Sequence, residues 1–131
     1  MAELKKVATD KAPAAIGPYS QAIVIKDMVY TSGQIPINPA SGNVEATTIE
    51  EQAEQVMKNL GEVLKAAGSS FENAVKTTCF LADMNDFAAF NGVYAKYFTT
   101  KPARLQDIGN WTGISLNPIS KRVSSRAWKW G

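Results

Sequence analysis

The 131 residues contain no histidine, and cysteine occurs once, at Cys79. These two absences exclude an intramolecular disulfide and leave no ligand set for a typical zinc or copper site, so no metal is expected. A mechanism built on an imidazole base is excluded as well. No stretch approaches the 18 consecutive apolar residues of a membrane span, and the N-terminus MAELKKVATD lacks the apolar run of a signal peptide. The expected location is therefore cytoplasmic, with no membrane partner. Neither G-x-G-x-x-G nor a P-loop pattern occurs, so a glycine-rich nucleotide cradle has no support.

Acidic residues become scarce toward the end of the chain. Residues 1–103 carry 9 Lys and 11 Asp or Glu, whereas 104–131 carry 5 Lys or Arg and a single acid, Asp107. All three Arg and all three Trp lie in that last segment. Such a shift is unusual inside one small domain, which is what 131 residues at 45% hydrophobic and 20% charged predict for 1–131.

SQAIVIK and MVYTSG are short β-rich runs parted by Lys26-Asp27, a pattern that predicts an antiparallel hairpin. GQIPINPASGNV, with two Pro, two Gly and two Asn, reads as a loop. Thr48 followed by Glu51 forms a capping box. Ala53, Val56, Met57, Leu60, Val63, Leu64 and Ala67 then recur at spacings of three and four until Gly68, which predicts an amphipathic helix over 49–67. AVKTTCFLA predicts a strand, within which Cys79 reads as a buried core thiol rather than a nucleophile. Asp86 is placed to cap a second helix bearing Phe87, Phe90, Tyr94, Tyr97 and Phe98, an aromatic stripe read as core rather than cofactor box.

Three strands, a helix, a strand, a helix and extended chain after Pro102 predict an α+β fold, with both helices on one face of a mixed sheet. The other sheet face also carries apolar residues and has no helix to cover it, which points to self-association.

Chemistry has few places to reside. AIGPYSQA with Tyr19, YTSGQIP with Ser32 and Gly33, and KPAR with Arg104 each put a polar or flexible residue at a strand end. An Arg fork, two hydroxyls and a backbone that glycine leaves open would suit a small carboxylate. The same residues also fit ordinary turn chemistry, a core tyrosine and a solvated charge, and the residues by themselves leave both readings open. The set lacks a strong general base, so it suits plain binding or a substrate that is already activated.

APAAIGPYSQAI, YTSGQIPINPASG, VKTTCFLADMNDFAAFNGVYAKYF and KPAR together resemble the Rid family of reactive-intermediate imine deaminases, also called YjgF-like or L-PSP proteins, over roughly residues 7–104. The resemblance implies a chorismate-mutase-like fold and a homotrimer, its sheets packed into a central barrel with clefts between subunits. It also implies hydrolysis of 2-imino acids such as 2-iminobutanoate and 2-iminopropanoate to 2-oxo acids and ammonia, without cofactor or metal. Carried over, Arg104 is similar to the arginine that clamps the substrate carboxylate, while Tyr19, Ser32, Gly33 and Asn91 resemble the cleft lining. Some L-PSP relatives are described as endoribonucleases or translation inhibitors, and the basic, aromatic tail SKRVSSRAWKWG has a composition able to contact RNA. A third reading, which follows from an arginine without a strong general base, is regulatory binding of a small carboxylate without turnover.

The resemblance ends abruptly after Arg104. Leu105 and Gln106 stand where the family has a Ser-Cys pair, so the backbone N–H of Gln106 remains as a donor without the thiol. The family's last strand carries an acid that orients water, and after Asp107 this chain has none. The end of the match coincides with the charge break, so 105–131 is either a frameshifted reading of the gene's 3′ end or a divergent genuine tail.

Overall fold

The computed structural model describes residues 3–109, 112–116 and 119–120. In chain order its elements are β1 (Leu4–Val7), β2 (Ala22–Ile25), β3 (Met28–Thr31), α1 (Ile49–Ala66), β4 (Lys76–Leu81), α2 (Phe87–Tyr97), β5 (Ala103–Ile108), β6 (Gly113–Leu116) and β7 (Ile119–Ser120). The expected α+β class holds, with both helices as anticipated, but the strands form two sheets: an antiparallel β1-β2-β3-β7 and a mixed β5-β4-β6. A bridge between Gln34 and Ile114 joins them.

The hairpin forms where expected, with Ile25 paired to Met28 across the two-residue turn. Lys26 takes a φ of 53° there, which a tight turn between right-twisted strands requires. Ala22, Val24, Val29 and Thr31 turn inward and Tyr30 outward, the period of two that one buried face demands.

Both halves of the capping box on α1 are made: Glu51 N–H donates to Thr48 Oγ1, and Thr48 N–H donates to the Glu51 carboxylate. Val56, Met57, Leu60, Val63 and Leu64 are fully buried, each such side chain stabilising the fold by about 1.5–3 kcal/mol. Asn59 shares their face, and its Nδ2 donates to the carbonyls of Ile35 and Ile37, tying the proline-rich loop to the helix. Gly68, with a φ of 81°, ends the helix as its position predicts.

The second helix departs from expectation at its start. Asp86 occupies the N-cap of α2 but makes no side-chain cap bond. A 3-10 turn over Met84–Asp86 intervenes, and the carboxylate that caps it is Asp83, which accepts from Asn85 N–H. Phe90, Tyr94 and Phe98 are buried as the core reading requires. Glu54 of α1 accepts from Lys96 and from the Tyr97 hydroxyl, fastening α2 to α1.

Because α2 returns the chain to the same end of the sheet, β5 lies parallel to β4, with Thr77 opposite Arg104 and Cys79 opposite Gln106. On the other side of β4 lies β6, whose Ile114 is fully buried. Ile114 exchanges both of its backbone hydrogen bonds with Gln34. The lateral order is therefore Gln34, Ile114, Cys79, Gln106. Every helix of the described residues is too short or too polar to cross a membrane.

Candidate functional site

Arg104 points from β5 toward α2. Its Nη1 donates to Asn91 Oδ1 at 2.7 Å, and its guanidinium carbon lies 4.6 Å from the Tyr94 ring centroid and 5.2 Å from that of Phe87. Phe87, Asn91 and Tyr94 are spaced i, i+4, i+7, so one stripe of the helix forms the whole seat. Tyr94 is itself braced: its hydroxyl lies 2.8 Å from Thr77 Oγ1 on β4, and its ring stacks on Phe98 with centroids 4.5 Å apart. Burial pushes the Tyr94 hydroxyl above its ordinary pKa, so it stays neutral beside the cation.

Arg104 is half-buried yet has no acid. The ion pairs among the described residues are Lys65–Glu62 and Lys96–Glu54, and neither reaches it. Asp107, the last acid of the chain, lies on the alternate face of β5, where its carboxylate accepts from the exposed Ile108 N–H. A guanidinium partly withdrawn from water and without a carboxylate beside it is suited to receive an anionic ligand.

Gln106 shares the Arg104 face. Its Nε2 donates to the Cys79 carbonyl at 3.3 Å, and because a carbonyl only accepts, this bond fixes which way the amide lies. The other end, Oε1, is buried with no partner. Cys79 is the inert thiol the sequence predicts: burial pushes its pKa up to about 11, against smaller opposing effects from Thr77 and Arg104.

Tyr19, Ser32 and Gly33 lie together elsewhere. Gln21 organises their loop, donating to the carbonyls of Thr9, Ala12 and Pro13 while accepting from Thr9 N–H. Gly17, at a φ of 140°, accepts from Tyr19 N–H and turns the chain so that Tyr19 is 53% exposed. Ser32 donates its hydroxyl to Ser20 O at 2.6 Å, which joins the two segments, and Gly33 is exposed beside it. Within one chain these residues do not meet Arg104. From Gln34 to Gln106 are three strand spacings, about 14 Å.

Of the residues named as a site from the sequence, the structure brings Arg104 and Asn91 together; Phe87 and Tyr94, read there as core, and Thr77, not singled out, join them. The stripe was visible in the spacing; what it packs on was not. The RNA-like tail from Lys121 onward lies outside the described residues, as do the three Trp. Among the described residues no group of three His, Cys, Asp or Glu is placed to hold a metal.

An α+β chain whose arginine on the strand after its second helix has no acid partner among the described residues has relatives. The family model described as Endoribonuclease L-PSP matches residues 9–107, and the chain belongs to this family, which also bears the names Rid and YjgF. A Mus musculus 2-iminobutanoate/2-iminopropanoate deaminase is 54% identical over 101 residues, 76% of this chain and 75% of its own. A Lactococcus lactis protein whose name assigns it a regulatory role, AldR, is 50% identical over 102 residues, 77% of this chain and 81% of its own. The crystal structure of Escherichia coli TdcF with bound serine superposes with a TM-score of 0.83 at 33% identity, covering 90% of this chain and 99% of that one. Ninety per cent of 131 residues is more than residues 1–107 can supply, so the shared fold extends past the end of the family match.

Proposed function

We propose that this protein is a 2-iminobutanoate/2-iminopropanoate deaminase, hydrolysing small 2-imino acids to 2-oxo acids and ammonia in the cytosol without a cofactor. The observation that carries the reading is Arg104: a half-buried guanidinium, seated by Asn91 and two aromatic faces and paired with no acid. Its uncommitted N–H groups match a substrate carboxylate. Gln106 contributes its backbone N–H on the same strand.

The reaction needs little from the protein beyond this grip. A protonated imine carbon is already electrophilic; water adds to it, one proton passes from the added oxygen to nitrogen, the C–N bond breaks to release ammonia, and the second oxygen proton passes to that ammonia, leaving a 2-oxo carboxylate and ammonium. Tyr19 and Ser32 supply hydroxyls to hold the water and the departing nitrogen, and Gly33 lets backbone approach.

That division of labour calls for a second copy, because Gln34, next to Gly33, lies three strand spacings, about 14 Å, from Gln106 within one chain. The sheet surface away from the helices supports an assembly: Leu105 is 51% exposed, Tyr30 37%, and Ile23, Ile25 and Phe80 are half-buried on the same side. In a chorismate-mutase-like homotrimer these faces close into a barrel, and Arg104, Asn91 and Gln106 of one subunit meet Tyr19, Ser32 and Gly33 of its neighbour.

One observation favours a second reading, regulatory binding of a 2-oxo or 2-imino acid without turnover. Asp107, the last acid, faces away from Arg104, and neither ion pair among the described residues places a carboxylate beside it. The test is release of 2-oxobutanoate from 2-iminobutanoate generated in place by a threonine dehydratase. Acceleration over background that Arg104→Ala abolishes supports the deaminase. A folded protein that binds 2-oxobutanoate without acceleration is the regulator instead.

A further inference from the structure

We propose that Phe87 and Tyr94 are positioning residues for the carboxylate site, holding the Arg104 guanidinium between their ring faces so that its free N–H edge is presented in one orientation. This inference rests on the carboxylate-binding reading above and concerns how the grip is built. An arginine side chain has four rotatable bonds, and freezing them on ligand arrival would consume much of what a bidentate contact yields. Here the freezing is done in advance. One ring lies 4.6 Å and the other 5.2 Å from the guanidinium carbon, both within the distance at which a cation is attracted to an aromatic face. Asn91 Oδ1 fixes rotation in the plane through Nη1.

The clamp is anchored beyond the helix. Tyr94 is held in place by the Thr77 hydroxyl at 2.8 Å, and Thr77 is the residue of β4 directly opposite Arg104 on β5. Strand, helix and neighbouring strand thus close a ring: Thr77 to Tyr94, Tyr94 to Arg104, Arg104 back to Thr77 through the parallel ladder. A lysine at 104 would have no planar group to lie between the rings, and its ammonium would lack the fork that grips two oxygens.

The experiment measures the affinity of the full-length protein for 2-oxobutanoate by titration calorimetry, in a cycle with Arg104→Ala. Phe87→Leu keeps an apolar group at a partly exposed position and should weaken binding about five- to tenfold, within the range a partly desolvated cation–π contact contributes. Phe87→Tyr should bind within about twofold of wild type, the ring face being restored. Tyr94→Phe keeps the ring and loses only the Thr77 bond, so its effect should be smaller than that of Phe87→Leu, with the fold preserved. In the Arg104→Ala background Phe87→Leu should cost nothing further, a coupling that general loosening of α2 would not produce.

Tight binding by Phe87→Leu, or an equal loss with and without Arg104, overturns the clamp while leaving the carboxylate site in place. Wild-type protein that neither binds 2-oxobutanoate nor speeds imine hydrolysis overturns the functional reading itself, and the clamp's purpose with it.

Discussion

The two halves of the proposed cleft are built on different principles. The Arg104 guanidinium is held side chain to side chain by the helix residues Asn91, Phe87 and Tyr94, with Thr77 of β4 bracing Tyr94. Around Tyr19 and Ser32 the work is done by backbone carbonyls and turns, with Gln21 stapling a loop that leaves the tyrosine exposed. One half is finished within the chain, and the other faces outward. The contrast suggests that affinity belongs to the first half and turnover to the second.

Arg104→Ala is the largest lever on that division. Losing a charge-assisted bidentate contact should cost about 2–3 kcal/mol, a drop in 2-oxobutanoate affinity of tens-fold to a hundredfold, with an unchanged melting temperature. Tyr19→Ala should do the reverse, lowering the rate of imine hydrolysis about tenfold, the worth of one hydrogen bond, with near-normal 2-oxobutanoate affinity. Equal effects of both variants on affinity would erase the distinction. Unfolding the two variants together and refolding them as mixed oligomers sharpens it: if the halves come from neighbouring subunits, some interfaces regain both residues and activity returns. Mixtures as inactive as their parents would put the whole site in one chain.

Of the grip half, local pattern alone showed Phe87 and Tyr94 as a core stripe on a helix and Arg104 at a strand end, while Asn91 entered only through the family resemblance. The capping box, the 3.6-residue apolar period of α1 and the i, i+4, i+7 spacing of Phe87, Asn91 and Tyr94 need no tertiary knowledge. Their target did: Arg104 meets that stripe only because β5 runs parallel to β4. Buried Asn59 and Gln21 were invisible for a related reason, since a polar residue inside a helix or strand reads as surface until the carbonyls it serves are known. Asp86 misled because a 3-10 turn handed the capping role to Asp83. The departure of the chain after Arg104 was visible, but not that Ile114, beyond the family match, would still fill a fully buried place next to β4. Apolar size suffices there. Ile114→Ala should cost about 2–5 kcal/mol of stability, measured by urea unfolding, if that strand is as central as its burial states.

The smallest effect concerns what holds α2, and with it the grip half, against α1. Glu54 accepts from Lys96 and the Tyr97 hydroxyl, and these bonds, Lys96 first, hold its carboxyl below the ordinary 4.5. The same bond, with some burial, pushes Tyr97 up to about 12. The Glu54 contribution is complete above pH 4.5 and disappears as pH falls through its lowered value; the Tyr97 contribution is complete below pH 10 and disappears as pH rises through about 12. Both groups are partly solvated, so each arm should amount to less than about 1 kcal/mol. Urea unfolding of wild type and Glu54→Gln from pH 7 down to 3 measures the acid arm: the variant should lose less stability over that interval, while at pH 7 it starts lower. The staples of the Tyr19 loop among the described residues are amide to backbone and carry no charge. Acid should therefore loosen the 2-oxobutanoate grip before it disturbs Tyr19, and a Tyr19 ring signal in NMR that shifts first would contradict the assignment of the clasp to the Arg104 side.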